Sequence, residues 1–171
     1  MEFRLANKED LPQLKEMFNK IIKNMGNNNI NIWDEYYPYE IFKDDINNGD
    51  LHLIVNNDDI IAAFSIYKSV GYEKTMEWTN KNEEAFYINR IGVNVDYLRQ
   101  GIGDTILNKA IDITKQAGIK FLRLLVVDNN KPAIELYKKK GFQKVEGVYK
   151  EEIDTDVYLT EYGFELEIKN N

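Results

Sequence analysis

Apolar and polar positions change period several times along this chain, and each change marks an element. Residues 3–6 read as a short first strand. Behind them, Asn7 to Asp10 offers a capping signal, and Leu11, Leu14, Met17, Phe18, Ile21, Ile22 and Met25 recur at helical spacing. Pro12 fits only near the start of that helix, which puts its boundary near Asp10. A turn-rich break at residues 26–31 ends it, and residues 33–49 begin as a loop and become a short second helix stopping before Gly49. Period two then takes over. Residues 51–55 and 60–67 read as strands across an Asn-Asn-Asp-Asp hairpin turn. A polar connection over residues 69–84 leads to a third, long strand, AFYINRIGVNV. The turn YLRQGIG follows, and then a helix with Ile102, Ile106, Leu107, Ala110, Ile113, Thr114 and Ala117 on one face, stopped by Gly118. KFLRLLVV is apolar enough for a strand buried in mid-sheet. NNKPAIELYKKKG reads as a helix with Pro132 early and Gly141 as its stop, and strands over residues 142–149 and 157–168 finish the chain.

The resulting order is β-α-α-β-β-β-α-β-α-β-β. Neither an all-parallel wound sheet nor a hairpin-only barrel produces it. It predicts an α/β (α+β) fold: a mixed, largely antiparallel sheet of six to seven strands, helices on both faces, and one strand–helix–strand crossover over roughly residues 85–127. With 171 residues and no internal repeat or flexible linker, a single domain over 1–171 is expected.

Composition narrows the chemistry. Hydrophobic residues at 43% and charged residues at 30% suit a globular chain rather than a disordered one. There is no apolar run of membrane-spanning length and no signal-peptide pattern at MEFRLANKED, so a cytoplasmic protein is expected. Zero cysteines and one histidine exclude disulfides, thiolate ligands, a cysteine nucleophile and a structural zinc site, so no metal is expected. A net charge of −7 argues against a nucleic-acid partner. Residues 150–169 hold seven acidic and two basic residues. They read either as a solvated acidic edge or as a surface that attracts a cationic substrate.

The turn YLRQGIG carries the sharpest question. A P-loop would need Gly-Lys-Ser/Thr, which is absent, and a dinucleotide fingerprint would need a third glycine where Ile106 stands. What survives is more general. Gly101 and Gly103 can take positive φ and let a ligand touch main chain, while the helix N-terminus offers amide donors and about half a positive charge. That combination suits a pyrophosphate, with Arg99 positioned to help. Taken alone, the same pattern also describes a plain tight turn.

In context, the long strand, YLRQGIG, the helix, a buried strand and DNNKPAIELYKKKGF together resemble the GNAT superfamily of N-acetyltransferases. Its first hallmark, Q/R-x-x-G-x-G/A, matches at Gly101 and Gly103, with Leu98 where the family usually has Gln or Arg. Its second hallmark matches in register at Asn130, Ala133, Tyr137, Gly141 and Phe142. The resemblance implies acetyl-CoA as co-substrate and the acyl-CoA N-acyltransferase fold. It places Ile91, Gly92 and Val93 along the pantetheine arm, pairing with it as an added strand would. It places Arg99, Gln100, Gly101, Ile102, Gly103 and Asp104 around the pyrophosphate, with Asp104 complementing the helix dipole. Asn130 would bond the pantetheine arm or cap the next helix. Tyr137 would give a proton to the departing thiolate, since a phenol near pKa 10 and a thiol near 8.5 are close enough for transfer.

The base is less legible. An alkylamine near pKa 10.4 is neutral in only on the order of one molecule per thousand at pH 7, so something must accept its proton. Positions where family members carry a glutamate hold Leu125 and Tyr87 here. Glu83, Glu84 and Asp128 are the nearby alternatives, and His52 reads as structural. Trp33, Tyr36, Tyr37 and Tyr39, then Tyr72, Glu73, Glu77 and Trp78, would either select a cationic amine through cation–π and charge contacts or pack onto the sheet. The resemblance thus implies an enzyme acetylating a primary amine of a small molecule or protein. A non-catalytic acyl-CoA-binding module is the rival reading, and the outer strands leave pairing into a homodimer open.

Overall fold

The capping signal ahead of the first helix is realised as a reciprocal box. Asn7 Oδ1 accepts from the Glu9 N–H at 2.9 Å, and Asp10 Oδ2 accepts from the Asn7 N–H at 2.8 Å. Arg4 of the first strand, β1 (Glu2–Leu5), grips the same carboxylate at 2.7 Å. Helix α1 (Leu11–Asn27) then turns Leu14, Met17, Phe18 and Ile21 inward. The computed structural model describes residues 1–169 except Glu73.

After α1 come α2 (Phe42–Asn48), β2 (Leu51–Asn56), β3 (Asp59–Tyr67), β4 (Ala85–Val93), α3 (Ile102–Gln116), β5 (Phe121–Val127) and α4 (Lys131–Lys139). Three strands close the chain: β6 (Gln143–Lys144), β7 (Tyr149–Asp154) and β8 (Val157–Glu167). The β2–β3 hairpin turns on Asn57 and Asp58, both left-handed at φ of 50° and 68°, the primed two-residue turn. The eight strands run in the order β1-β2-β3-β4-β5-β8-β6, with β7 also on β8. The pairing of β4 with β5 is parallel, and those of β1–β2, β2–β3, β5–β8, β6–β8 and β7–β8 are antiparallel. Of the strand expected over residues 142–149, only β6 and the first residue of β7 form, and β7 runs on to Asp154 where no strand is expected. Gly147, at φ of 102°, breaks the expected strand where the backbone of residues 75–77 packs against it.

The chain divides into two compact units, Met1–Ile66 with Asn89–Ile106, and Tyr67–Ile88 with Leu107–Asn171. The first has a core of Leu14, Met17, Phe18, Phe42, Leu51, Leu53 and their neighbours. Buried among them, Asp45 takes a bidentate grip from Arg90 of β4 at 2.9 and 3.1 Å and the Ser65 hydroxyl at 2.7 Å. His52 is structural. Its ring stacks beside Phe3 and Phe64, which also stack on each other, and burial lowers its pKa.

In the second unit Met76, Trp78, Ala85, Tyr87, Phe121 and Val145 form a cluster. Gly163 of β8 faces it, since a Cβ there would meet Met76 at 2.6 Å and Val145 at 2.8 Å. Arg123 and Glu165 point the same way and form a fully buried ion pair at 2.7 Å. The guanidinium also donates to the Tyr87 hydroxyl at 3.3 Å and to the Asn80 carbonyl at 2.8 Å. On the alternate face of β8, Phe164 packs against Tyr137 of α4, which also meets Phe142.

Candidate functional site

The glycine turn has the form its sequence suggests. Arg99 and Gly101 are both left-handed, at φ of 61° and 77°. An L-residue other than glycine adopts that backbone at a cost, so the double reversal is a built feature. Leu98, Arg99, Gln100 and Gly101 are exposed, whereas Ile102 is buried and anchors the start of α3. A Cβ on Gly101 would meet nothing within 4 Å, so the main chain there is open to a ligand. Gly103 lies inside α3 and is not among the left-handed residues. Only Gly101 therefore uses the conformational freedom that both glycines offer. The Thr105 N–H bonds back to the Gly101 carbonyl at 3.1 Å, so the helix begins at once and its opening amides aim out of the turn. Asp104 sits in the first helical turn, where an acid complements the dipole.

On β4, Gly92 has a different purpose from the one its strand setting suggests. A Cβ there would lie 2.6 Å from Phe18 and 3.1 Å from Ile21, so the missing side chain makes room for α1. The irregularity falls instead on Arg90, left-handed at φ of 50° and locked to Asp45. Ile91 and Val93 are half-buried beside it. Beyond, the Asn94 N–H and side chain bond the carbonyls of Ile61 and Ile60, fixing the chain's approach to the turn.

In the second unit, Asn130 caps α4, its Oδ1 accepting from the Ala133 N–H at 3.4 Å. Tyr137 lies one helical face along, 6% exposed, and burial pushes its phenol well above its usual value. Its oxygen therefore keeps its proton throughout the neutral range. It is a reservoir rather than a strong acid, and gives up the proton only to a base formed beside it.

The base candidates separate clearly. Leu125 has no proton chemistry, Tyr87 is buried under Arg123, and Glu83 is tied to Lys120 at 2.8 Å. Asp128 is exposed at the end of β5, and Glu84 precedes β4. The aromatic segment divides too. Trp33 packs on Phe18, and Tyr37 accepts from Arg90 at 3.3 Å. Tyr36 and Tyr39 line a cleft of about 680 Å³ with Glu35, Glu40, Lys15 and Lys43. Trp78 is buried beneath Arg123, and Glu77 pairs with Lys81 at 2.7 Å. Glu73 lies outside the described residues.

A carboxylate that the sequence reading passed over stands in the second unit. Glu161 of β8 is half-buried between Val127 of β5 and Tyr149 of β7. Burial, with Glu151 adding its charge, pushes its carboxyl up to about 7. The signal was present in T-E-Y-G-F-E-L-E, where Glu161 and Glu165 share the parity of Gly163 and hence the inner face. Among the described residues, no group of three or more His, Asp and Glu is placed to hold a metal, and no helix is long and apolar enough to cross a membrane.

The comparisons converge on one family. The model of the acetyltransferase (GNAT) family matches residues 14–142. A bovine (Bos taurus) thialysine N-epsilon-acetyltransferase is 39% identical over 83 residues, covering 48% of this chain and 45% of the relative. An uncharacterized N-acetyltransferase of Methanocaldococcus jannaschii is 40% identical over 84 residues, covering 47% of this chain and 37% of the relative. The matched stretch thus spans less than half the length of either. In fold, the chain is similar to an acetyltransferase of the GNAT family from Streptococcus agalactiae 2603, with a TM-score of 0.78 at 18% identity, covering 99% of this chain and 96% of that one. A left-handed turn at a helix start, the Asn-to-Tyr register of α4, the fold and the family match coincide, and the chain belongs to the acetyltransferase (GNAT) family.

Proposed function

We propose that this protein is an acetyl-CoA-dependent N-acetyltransferase that moves an acetyl group directly to a primary amine, with no covalent enzyme intermediate. The observation that carries the reading is the exposed turn at Arg99 and Gly101 at the mouth of α3, a backbone cradle for a pyrophosphate. Acetyl-CoA supplies the acyl group as a thioester. Gln100, Gly101, Ile102, Gly103 and Asp104 offer it main chain, Arg99 a cation, and Ile91 to Val93 a strand edge. Asn130 holds the start of α4, and Tyr137 holds the proton that the departing sulfur takes. A cationic acceptor, a small amine or a protein amine, fits the acidic balance of the last two strands. The thialysine enzyme among the relatives makes a lysine-like amine the first acceptor to try. A cytoplasmic setting goes with this reading.

Melting with acetyl-CoA beside a plain adenine nucleotide tests the cradle. At 100 times the dissociation constant, binding adds about 2.7 kcal/mol. Each kcal/mol is worth roughly 2–4 °C for a domain of this size, so a rise of about 5–11 °C is expected. No rise at saturation overturns the reading. Leu98 and Leu125 stand where the family places polar groups, and they favour a second reading, a module that binds acyl-CoA without chemistry. That module would show the same rise but no amine-dependent release of CoA.

A further inference from the structure

We propose that Glu161 accepts the proton that the acceptor amine sheds before it attacks, and that the amine lies against the face of the second unit formed by Glu161, Tyr149 and Tyr72. The proposal rests on the transferase reading above and names the base it lacks. Register places the residue. Glu161 pairs with Val127 at the C-terminal end of β5, three positions before Asn130, and with Tyr149 of β7. Its face is the aromatic one. Tyr72 lies 5.7 Å from Tyr149 and 5.9 Å from Tyr87, ring to ring, and Leu125 completes the wall. A carboxylate beside Tyr149, whose ring meets that of Tyr72, suits an ammonium.

Among the described residues, the charged groups of the flanking strands do not pair with that carboxylate. From β5 the nearest is Arg123, already committed to Glu165, Tyr87 and Asn80. From β7 come Tyr149 and Glu151, and from the loop before β4 comes Tyr72. Lys144 of β6 sits over the ring of Tyr162 at 3.4 Å, and Lys150 of β7 pairs opposite Thr160, and both of these β8 residues are of the other parity from Glu161. Glu161 forms no ion pair among the described residues. A half-buried acid beside a second acid, with no internal cation, is costly unless an incoming cation completes it. With its carboxyl near 7, Glu161 is partly ionised at neutral pH and can take a proton and return it to water.

The proton ledger closes. The ammonium gives one proton to the Glu161 carboxylate, and the freed nitrogen lone pair forms the C–N bond. The C–S bond breaks, and sulfur leaves with the electron pair and takes the Tyr137 proton. The nitrogen's second proton, lost as the amide forms, passes to water, and water restores the phenol's proton. One proton passes to solvent overall. Tyr137 packs on Phe164, of opposite parity to Glu161 on β8, so donor and acceptor serve opposite faces of the strand.

Glu161→Gln and Glu161→Asp test this on the full chain. The first readout is the melting temperature between pH 5 and 8, without any ligand. A carboxyl raised in the fold binds more protons folded than unfolded, so the wild type loses stability as pH rises from about 4.5 towards 7. Glutamine does not titrate. The variant's melting temperature should therefore gain on the wild type as pH rises through that window, and a difference that stays constant overturns the proposal. The second readout is turnover with acetyl-CoA and thialysine, lysine or linear diamines. Glu161→Gln should cut turnover at pH 7 by about 10²-fold or more, with the acetyl-CoA melting shift unchanged and Glu161→Asp recovering part of the rate. Turnover within threefold of the wild type, with the same pH profile, overturns it. Calorimetric binding of thialysine decides the matter if no amine is turned over: loss in Glu161→Gln supports the site, and equal binding sinks it. Absence of the acetyl-CoA shift in the wild type would instead condemn the transferase reading, and leaves the ligand-free titration to judge Glu161.

Discussion

The two units build their candidate sites from different materials. In the first, the candidate anion site is made of backbone: two left-handed residues, an exposed main chain and the amides of α3. In the second, the candidate amine site is made of side chains: one half-buried carboxylate and two tyrosines, over a guanidinium held by Glu165. A backbone site depends on a few consecutive residues and tolerates change in the side chains around it. A side-chain site depends on strand register over the whole unit, and a change in any wall residue is felt.

Several substitutions would break or sharpen that contrast. The largest expected effect is on the second unit's frame. Arg123→Met leaves Glu165 buried without its partner and should cost about 3–5 kcal/mol, read as a lower urea midpoint. A midpoint unchanged by this variant would mean that the ion pair does not hold the side-chain wall. Tyr137→Phe should lower turnover by about 10²-fold or more, roughly 2.7 kcal/mol of barrier, while leaving the acetyl-CoA melting shift intact. Unchanged turnover would remove Tyr137 from the donor role. Gly101→Val should weaken acetyl-CoA binding by about 5–30-fold, since a left-handed backbone costs an L-residue about 1–2 kcal/mol. The contrasting variant is Gly92→Ala, whose Cβ would press on Phe18; it should lower the melting temperature of the free protein, because that glycine serves packing. If Gly92→Ala instead left stability alone and abolished binding, the division of labour between the two glycines would be wrong. The smallest effect is expected of Leu98→Gln. It offers one side-chain hydrogen bond to a site built of main chain, worth about 0.5–1.5 kcal/mol, so titration should show at most about tenfold tighter binding.

The features legible in the residues alone are those that short-range rules govern. The element order follows from changes of hydrophobic period, the ends of α1, α2 and α4 from Asn7, Asp10, Gly49, Asn130 and Gly141, and the β2–β3 turn from two residues that accept positive φ. The glycine turn before α3 belongs with them, since a ligand site of consecutive amides is written in consecutive residues. Tertiary structure decided the rest. That Gly92 admits Phe18, that Arg90 finds Asp45 across 45 residues and that Arg123 finds Glu165 across 42 depend on packing and pairing partners that no local pattern names. Glu161 belongs here as well. Its carboxyl is unusual because β5 and β7 flank it, Glu151 lies beside it and, among the described residues, no ion pair joins it. Proton affinity is set by desolvation and neighbouring charge, and both are properties of the folded surroundings rather than of the residue.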